Sequence, residues 1–207
     1  QGAAGRGGAA VSALPPPPFD PEGAAAAAER FAARAEPDVA YALHDTPVGR
    51  VVLARTRRGL ARVAYEEFNG GEDAVVEDLA LRLSPRVLRA PARLDDVRRQ
   101  LDEFFAGRRR SFEFPLDWSL TRGFSRKVLQ ATARIPFGET GTYATVAARA
   151  GSPRAVRSAG NALGHNPMPI VVPCHRVLRS GGALGGYTGG VERKVALLSV
   201  EGSLPPE

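Results

Sequence analysis

Hydrophobic positions change their spacing along this chain, and each change predicts an element. Val48–Ala54 and Ala61–Glu66 are runs rich in β-formers, and "RTRRG" between them predicts a hairpin. In "GEDAVVEDLALRL", Val75, Val76, Leu79 and Leu83 fall near helical spacing. Leu94, Val97, Leu101, Phe104 and Phe105 do the same in "LDDVRRQLDEFFAG", and Gly107 is placed to cap that helix. "SFEFPLDW" alternates and predicts another strand.

After residue 118 the helical period dominates. "TRGFSRKVLQATARI" predicts a helix, with "PFGET" as the turn that follows. "YATVAARAGSPRAVRSAGNALG" predicts two helices about a Gly151–Ser152 turn. Pro153 then opens the second, where its missing N–H is not needed. Two short helices joined in this way suggest a helix-turn-helix, with Arg154 and Arg157 near the start of the second. "VERKVALLSVEG" predicts a closing helix with Val191, Val195 and Leu198 at core spacing. Residues 1–37 are low complexity: a four-proline run favours polyproline II, and Ala24–Ala35 suits a short helix. The chain therefore divides into a tail or linker at 1–37, an α/β unit at 38–118 and a mainly helical unit at 119–207.

Composition narrows the partners. The 207 residues are 43% hydrophobic and 24% charged, as expected of a soluble protein with a real core. A net charge of +6 suits a polyanionic partner, although a general Ala/Arg/Gly/Pro bias accounts for it equally well. No apolar run is long enough to span a bilayer, and no charged-then-apolar secretion signal opens the chain. Starting at Gln1 suits a piece of a longer protein. The single cysteine excludes an internal disulfide and a Cys-rich metal site, and a free thiol fits the reducing cytoplasm.

That cysteine, Cys174, sits in "PIVVPCHRVL". A thiolate is the nucleophilic form, so a catalytic cysteine needs a base or a positive field. His175 is adjacent, but in a strand the two side chains point to opposite faces, so a bend or a bridging water must join them. A third group orients such a histidine. Glu201, at the end of the last helix, is the candidate, because that helix must fold back onto the core. On spacing alone, a buried and inert cysteine remains open. The turns at Asn166-Pro167 and Pro169, the glycine-rich 181–190 segment and the preceding helix pair favour chemistry. His44 and His165 read as structural or exposed, and Arg108–Arg110 as solvated surface.

"GHNPMPIVV" (164–172), "PCHRV" (173–177) and "GGYTGG" (185–190) together resemble the O6-alkylguanine-DNA alkyltransferases, or methylated-DNA–protein-cysteine methyltransferases. The likeness is strong over 119–202 and less specific over 41–118. It implies an α/β (α+β) fold, with a small ribonuclease-H-like N-terminal domain and a mainly helical winged-helix, helix-turn-helix C-terminal domain. It also implies direct-reversal repair of O6-alkylguanine in double-stranded DNA, with O4-alkylthymine as a second candidate lesion. The second helix enters the minor groove, the base is flipped, and Cys174 takes the alkyl group irreversibly, once per molecule. By the same resemblance His175 takes the thiol proton through a water, Glu201 orients His175, and Asn166 holds the network. Tyr143 assists the leaving guanine and crowds the rotating phosphate. Arg157 fills the gap in the stack, while Arg154 and Ala155 contact DNA. Tyr187 walls the pocket, the Thr188 N–H faces O6, and the carbonyls of Cys174 and Val177 accept from the guanine amino group. Pro169 and Lys194 lie beside them. Some members hold zinc through Cys and His, and this chain has no spare cysteine, so no metal is expected. Nor is an organic cofactor. The expected protein is a cytoplasmic monomer, nucleoid-associated in a bacterium, with no membrane partner. Two other classes stay open: a non-enzymatic lesion binder, and a cysteine hydrolase that turns over.

Overall fold

The computed structural model describes residues 36–204 continuously, with scattered positions between 20 and 30. The expected Ala24–Ala35 helix and its tail lie mostly outside the described residues.

The expected hairpin is β2 (Gly49–Thr56) against β3 (Gly59–Tyr65). Sequence reasoning missed β1 (Val39–Thr46), which pairs antiparallel along the whole of β2, and β4 (Val87–Arg89), which adds parallel to β1. The sheet order is β3-β2-β1-β4. β2 is buried on both faces. Val52 and Ala54 pack with Val75 and Leu79 of α1 (Glu72–Arg82), and Val51 and Leu53 join the cluster holding Val97, Leu101 and Phe104 of α2 (Asp95–Phe105). Such a strand reads as a continuous apolar run. α2 is capped by Ala106, and Gly107 follows with φ 70° and donates to the Phe104 carbonyl, as its place after the helix predicts.

"SFEFPLDW" is not a strand. It runs beside β3 with one isolated bridge, in which Leu60 N–H donates to Pro115 O and Asp117 N–H to Leu60 O. Pro115 has no N–H to continue a ladder, and the Glu113 N–H goes to the Gln100 side chain.

The second half packs α3 (Gly123–Thr132), α4 (Tyr143–Arg149), α5 (Val156–Gly164) and α6 (Val191–Val200), with a two-residue parallel pair, β5 (Gly141–Thr142) and β6 (Val177–Leu178). α5 starts three residues later than expected. Pro153 instead lies inside a turn closed by Ala155 N–H on Ser152 O at 3.0 Å, which suits its fixed φ. On α6, Leu198 is buried as expected, but Val195 is half-buried and Val191 exposed, while Lys194 and Leu197 are buried in their place. The architecture is the mixed α/β one expected, a small sheet domain followed by a helical one. A single buried cluster runs through both, from Val51 and Leu53 to Cys174 and Leu197. Among the described residues, no helix is long and apolar enough to cross a membrane.

Candidate active site

The segment after α5 is shaped by one side chain. Asn166 Oδ1 accepts from Met168 N–H at 3.0 Å, and Asn166 Nδ2 donates to Val172 O at 2.8 Å and to Cys174 Sγ at 3.2 Å. The amide thus uses its acceptor and both donors while buried. Between these anchors the loop turns through Ile170, whose φ of 72° is unusual for a β-branched residue. Cys174–Arg176 is a single 3₁₀ turn rather than a strand, which replaces the opposite-faces geometry expected of Cys174 and His175.

Behind the thiol lies a buried charge cluster. His175 Nε2 is 2.9 Å from Glu201 Oε1. A carboxylate only accepts, so Nε2 carries the proton and Nδ1 of the neutral ring holds a free lone pair. Nδ1 is buried without a partner among the described residues. Arg176 binds both oxygens of Glu201, Nε to Oε2 at 2.9 Å and Nη2 to Oε1 at 2.8 Å, and donates through Nη1 to Ile135 O at 2.6 Å. Burial opposes ionisation of Glu201, but the hydrogen bonds from His175 and Arg176 outweigh it and hold the carboxyl below its usual range. Burial also lowers His175 and pushes the Cys174 thiol up to about 11, against the pull of the Asn166 hydrogen bond and Lys194.

Cys174 lines a cavity of about 770 Å³. Its walls are α5 (Val156, Arg157, Gly160, Asn161), Tyr143, Arg179 and the loop carrying Tyr187 and Thr188. Tyr143 is the first residue of α4 and is held there by a capping box, with Thr142 Oγ1 accepting from Thr145 N–H and Thr145 Oγ1 accepting from Thr142 N–H. The β5–β6 pair sets it beside the chain leaving Cys174. Thr188 Oγ1 donates to Gly164 O, tying the loop to the end of α5.

The structure therefore brings Cys174, His175, Glu201, Asn166, Tyr143, Arg157, Tyr187 and Thr188 into one region. Val177 and Lys194 stand behind the cavity. Lys194 Nζ donates to Val177 O at 2.6 Å and to Leu184 O, and burial lowers its pKa to about 8. Pro169 lines a neighbouring cavity with Asn166 and His165, not the one holding the thiol. Arg154 and Ala155 lie in the turn before α5, outside the cavity lining, with Arg154 exposed. His165 is exposed and its Nδ1 is bonded to Asn161 O, while His44 Nε2 lies 2.9 Å from Asp102. Arg109 is paired with Glu103 and Glu113. Sequence reasoning missed Arg176 as a clamp, Arg179 on the rim and Tyr65 behind Tyr187. The sequence offered only the "HR" dipeptide after Cys174 as a signal for the first. Among the described residues, no group of three or more His, Cys, Asp or Glu side chains could hold a metal ion.

Comparison with known proteins gives concordant matches. Residues 39–118 match the model of the 6-O-methylguanine DNA methyltransferase ribonuclease-like domain, and residues 123–203 that of its DNA binding domain. The constitutive methylated-DNA–protein-cysteine methyltransferase of Bacillus subtilis is 40% identical over 78% of this chain and 94% of its own length. A Methanosarcina acetivorans protein of the same name is 36% identical over 79% of this chain and 98% of its own. The crystal structure of Mycobacterium tuberculosis OGT in complex with DNA superposes with a TM-score of 0.67 at 36% identity, covering 81% of this chain and 95% of that one.

Proposed function

The chain belongs to the 6-O-methylguanine DNA methyltransferase family, and on that footing we propose that it repairs O6-alkylguanine in duplex DNA by moving the alkyl group to Cys174. The observation that carries this reading is the buried thiol lining a cavity walled by α5, with Asn166 on its sulfur and the His175–Glu201 pair behind it.

α5 enters the minor groove, with Arg154 and Ala155 at the backbone and Arg157 filling the gap left when the lesion turns into the cavity. O4-alkylthymine is the second lesion class for the same pocket. The pKa of about 11 keeps Cys174 a thiol at neutral pH, so it is activated only on attack. Its proton passes through a water to Nδ1 of His175, and Glu201 and Arg176 hold the ring for that transfer. Sulfur forms a bond to the alkyl carbon as the carbon–O6 bond breaks and its electron pair stays on guanine. Tyr143, whose pKa is raised by burial, remains a protonated donor toward N3, and the Thr188 N–H faces O6 where charge develops. The carbonyls of Cys174 and Val177 accept from the guanine amino group, with Lys194 fixing the Val177 carbonyl. The guanine anion gains its proton from water as His175 releases to solvent the one it took, so the S–H and C–O6 bonds are exchanged for S–C and N–H bonds with no net change of charge. The product is a thioether, and each monomer reacts once, in the cytoplasm and on the nucleoid in a bacterium.

The test is intact mass and peptide mapping after mixing with a duplex holding O6-methylguanine. The expected result is one methyl group on Cys174 per molecule, with guanine restored, and none on Cys174→Ser, which still binds the duplex. Binding without an adduct would make the protein a lesion sensor. Repeated turnover on esters or amides would make it a hydrolase.

A further inference from the structure

Tyr65, the last residue of β3, belongs to the sheet domain, yet it reaches the wall of the cavity. Its hydroxyl lies 3.0 Å from that of Tyr187, and the two rings meet edge to face at 6.2 Å. Tyr187 in turn packs edge to face on His175 at 6.4 Å. The Tyr187 wall is therefore held between the sheet domain and the base.

Two further features hold this contact. At Gly189 a Cβ would lie 2.6 Å from the Tyr65 ring, so only glycine lets the loop backbone approach it. Arg193 of α6 stacks its guanidinium 5.2 Å from the Tyr65 ring centre and donates to Gly189 O at 2.9 Å. It also reaches the sheet domain through Val48 O at 2.5 Å and Glu67 Oε2 at 2.7 Å. Arg193 thus fixes the loop to the same surface that presents Tyr65.

We infer that Tyr65 is a specificity-determining residue: its hydroxyl pins the Tyr187 wall and so limits the size of alkyl group that Cys174 accepts. The inference rests on the alkyl-transfer reading above. Tyr65 is buried and Tyr187 half-buried, so the bond between their hydroxyls restrains the wall, and Phe at either position removes that one bond whole. A bulky planar alkyl group needs the wall to yield, and a methyl group does not. Loosening the wall therefore favours the larger group.

The experiment measures transfer rate constants to Cys174 from duplexes holding O6-methylguanine or O6-benzylguanine. Tyr65→Phe is expected to raise the benzyl-to-methyl ratio about fivefold, as loss of one buried hydrogen bond predicts. Tyr187→Phe shifts the ratio the same way, and Tyr65→Phe adds nothing further in that background. An unchanged ratio, or equal slowing on both duplexes, reduces Tyr65 to a structural residue and overturns the inference. So does an effect of Tyr65→Phe that persists in the Tyr187→Phe background. If Tyr65→Phe fails to fold, Tyr65→Leu, which also removes the hydroxyl, takes its place and is read in the same way. Transfer of neither group by the unsubstituted protein overturns the underlying reading as well, and is told apart by the absence of any adduct.

Discussion

At the scale of single residues, burial sets the protonation of the site. The Cys174 thiol is raised to about 11 and His175 is lowered, so at neutral pH both are uncharged and Nδ1 is ready to receive a proton. The sign for activity follows. An imidazole whose pKa is depressed stays neutral at a pH where a free one, near 6.5, is half charged. The transfer rate is expected to hold steady as pH falls through 6.5 and to decline only below it, as His175 takes up a proton. Rate constants between pH 5 and 8 check this, and an acid limb centred at 6.5 or higher would contradict it. The Cys-His adjacency that starts this argument is legible in the sequence. Glu201 is legible only because a closing helix must return to the core. Arg176 is not: an arginine following a histidine reads as charge, and nothing in the spacing says that it grips the same carboxylate from inside the protein.

At the scale of elements, the spacing predicts the helix pair but not its details. Proline's preference for the first helical position competes with its preference for the second position of a turn, and here the turn wins. On α6 the spacing predicts Leu198 but not the rest of the buried face, because a lysine there runs against the usual pattern. Lys194 is there because two carbonyls, of Val177 and Leu184, accept its hydrogen bonds. β4 is three residues long, and three residues carry no periodic signal. α5 holds the clearest test at this scale. Arg157 is exposed on the helix face that lines the cavity. Arg157→Ala should slow repair in duplex DNA roughly tenfold, in keeping with loss of one DNA contact, and barely affect reaction with free O6-benzylguanine. Equal losses on both substrates would remove its role in replacing the flipped base.

At the scale of the whole molecule, the two halves act as one. Val63 N–H of β3 donates to Pro167 O, beside Asn166, and the Tyr65–Tyr187 and Arg193 contacts cross the same boundary. The sequence shows two halves of different period but not this seam, because contacts between distant segments leave no local pattern. Arg149, Arg154, Arg157 and Arg179 are exposed around the helix pair and cavity mouth, on a chain of net charge +6. Duplex affinity should therefore fall with salt along a log–log slope of about −3, as expected for three to four neutralised phosphates. Titrations from 50 to 200 mM salt measure the slope, and a flat response would argue against a groove-bound complex. The bond from Asn166 Nδ2 to Sγ gives the molecule one more property. Thiol and thioether sulfurs are both weak acceptors, so transfer leaves this anchor and the loop from Met168 to Cys174 in place. The alkyl group stays in the cavity that Cys174 lines. A used copy therefore keeps the outline of a fresh one while its receiving space is filled, and so carries a durable memory of the event inside an unaltered shape.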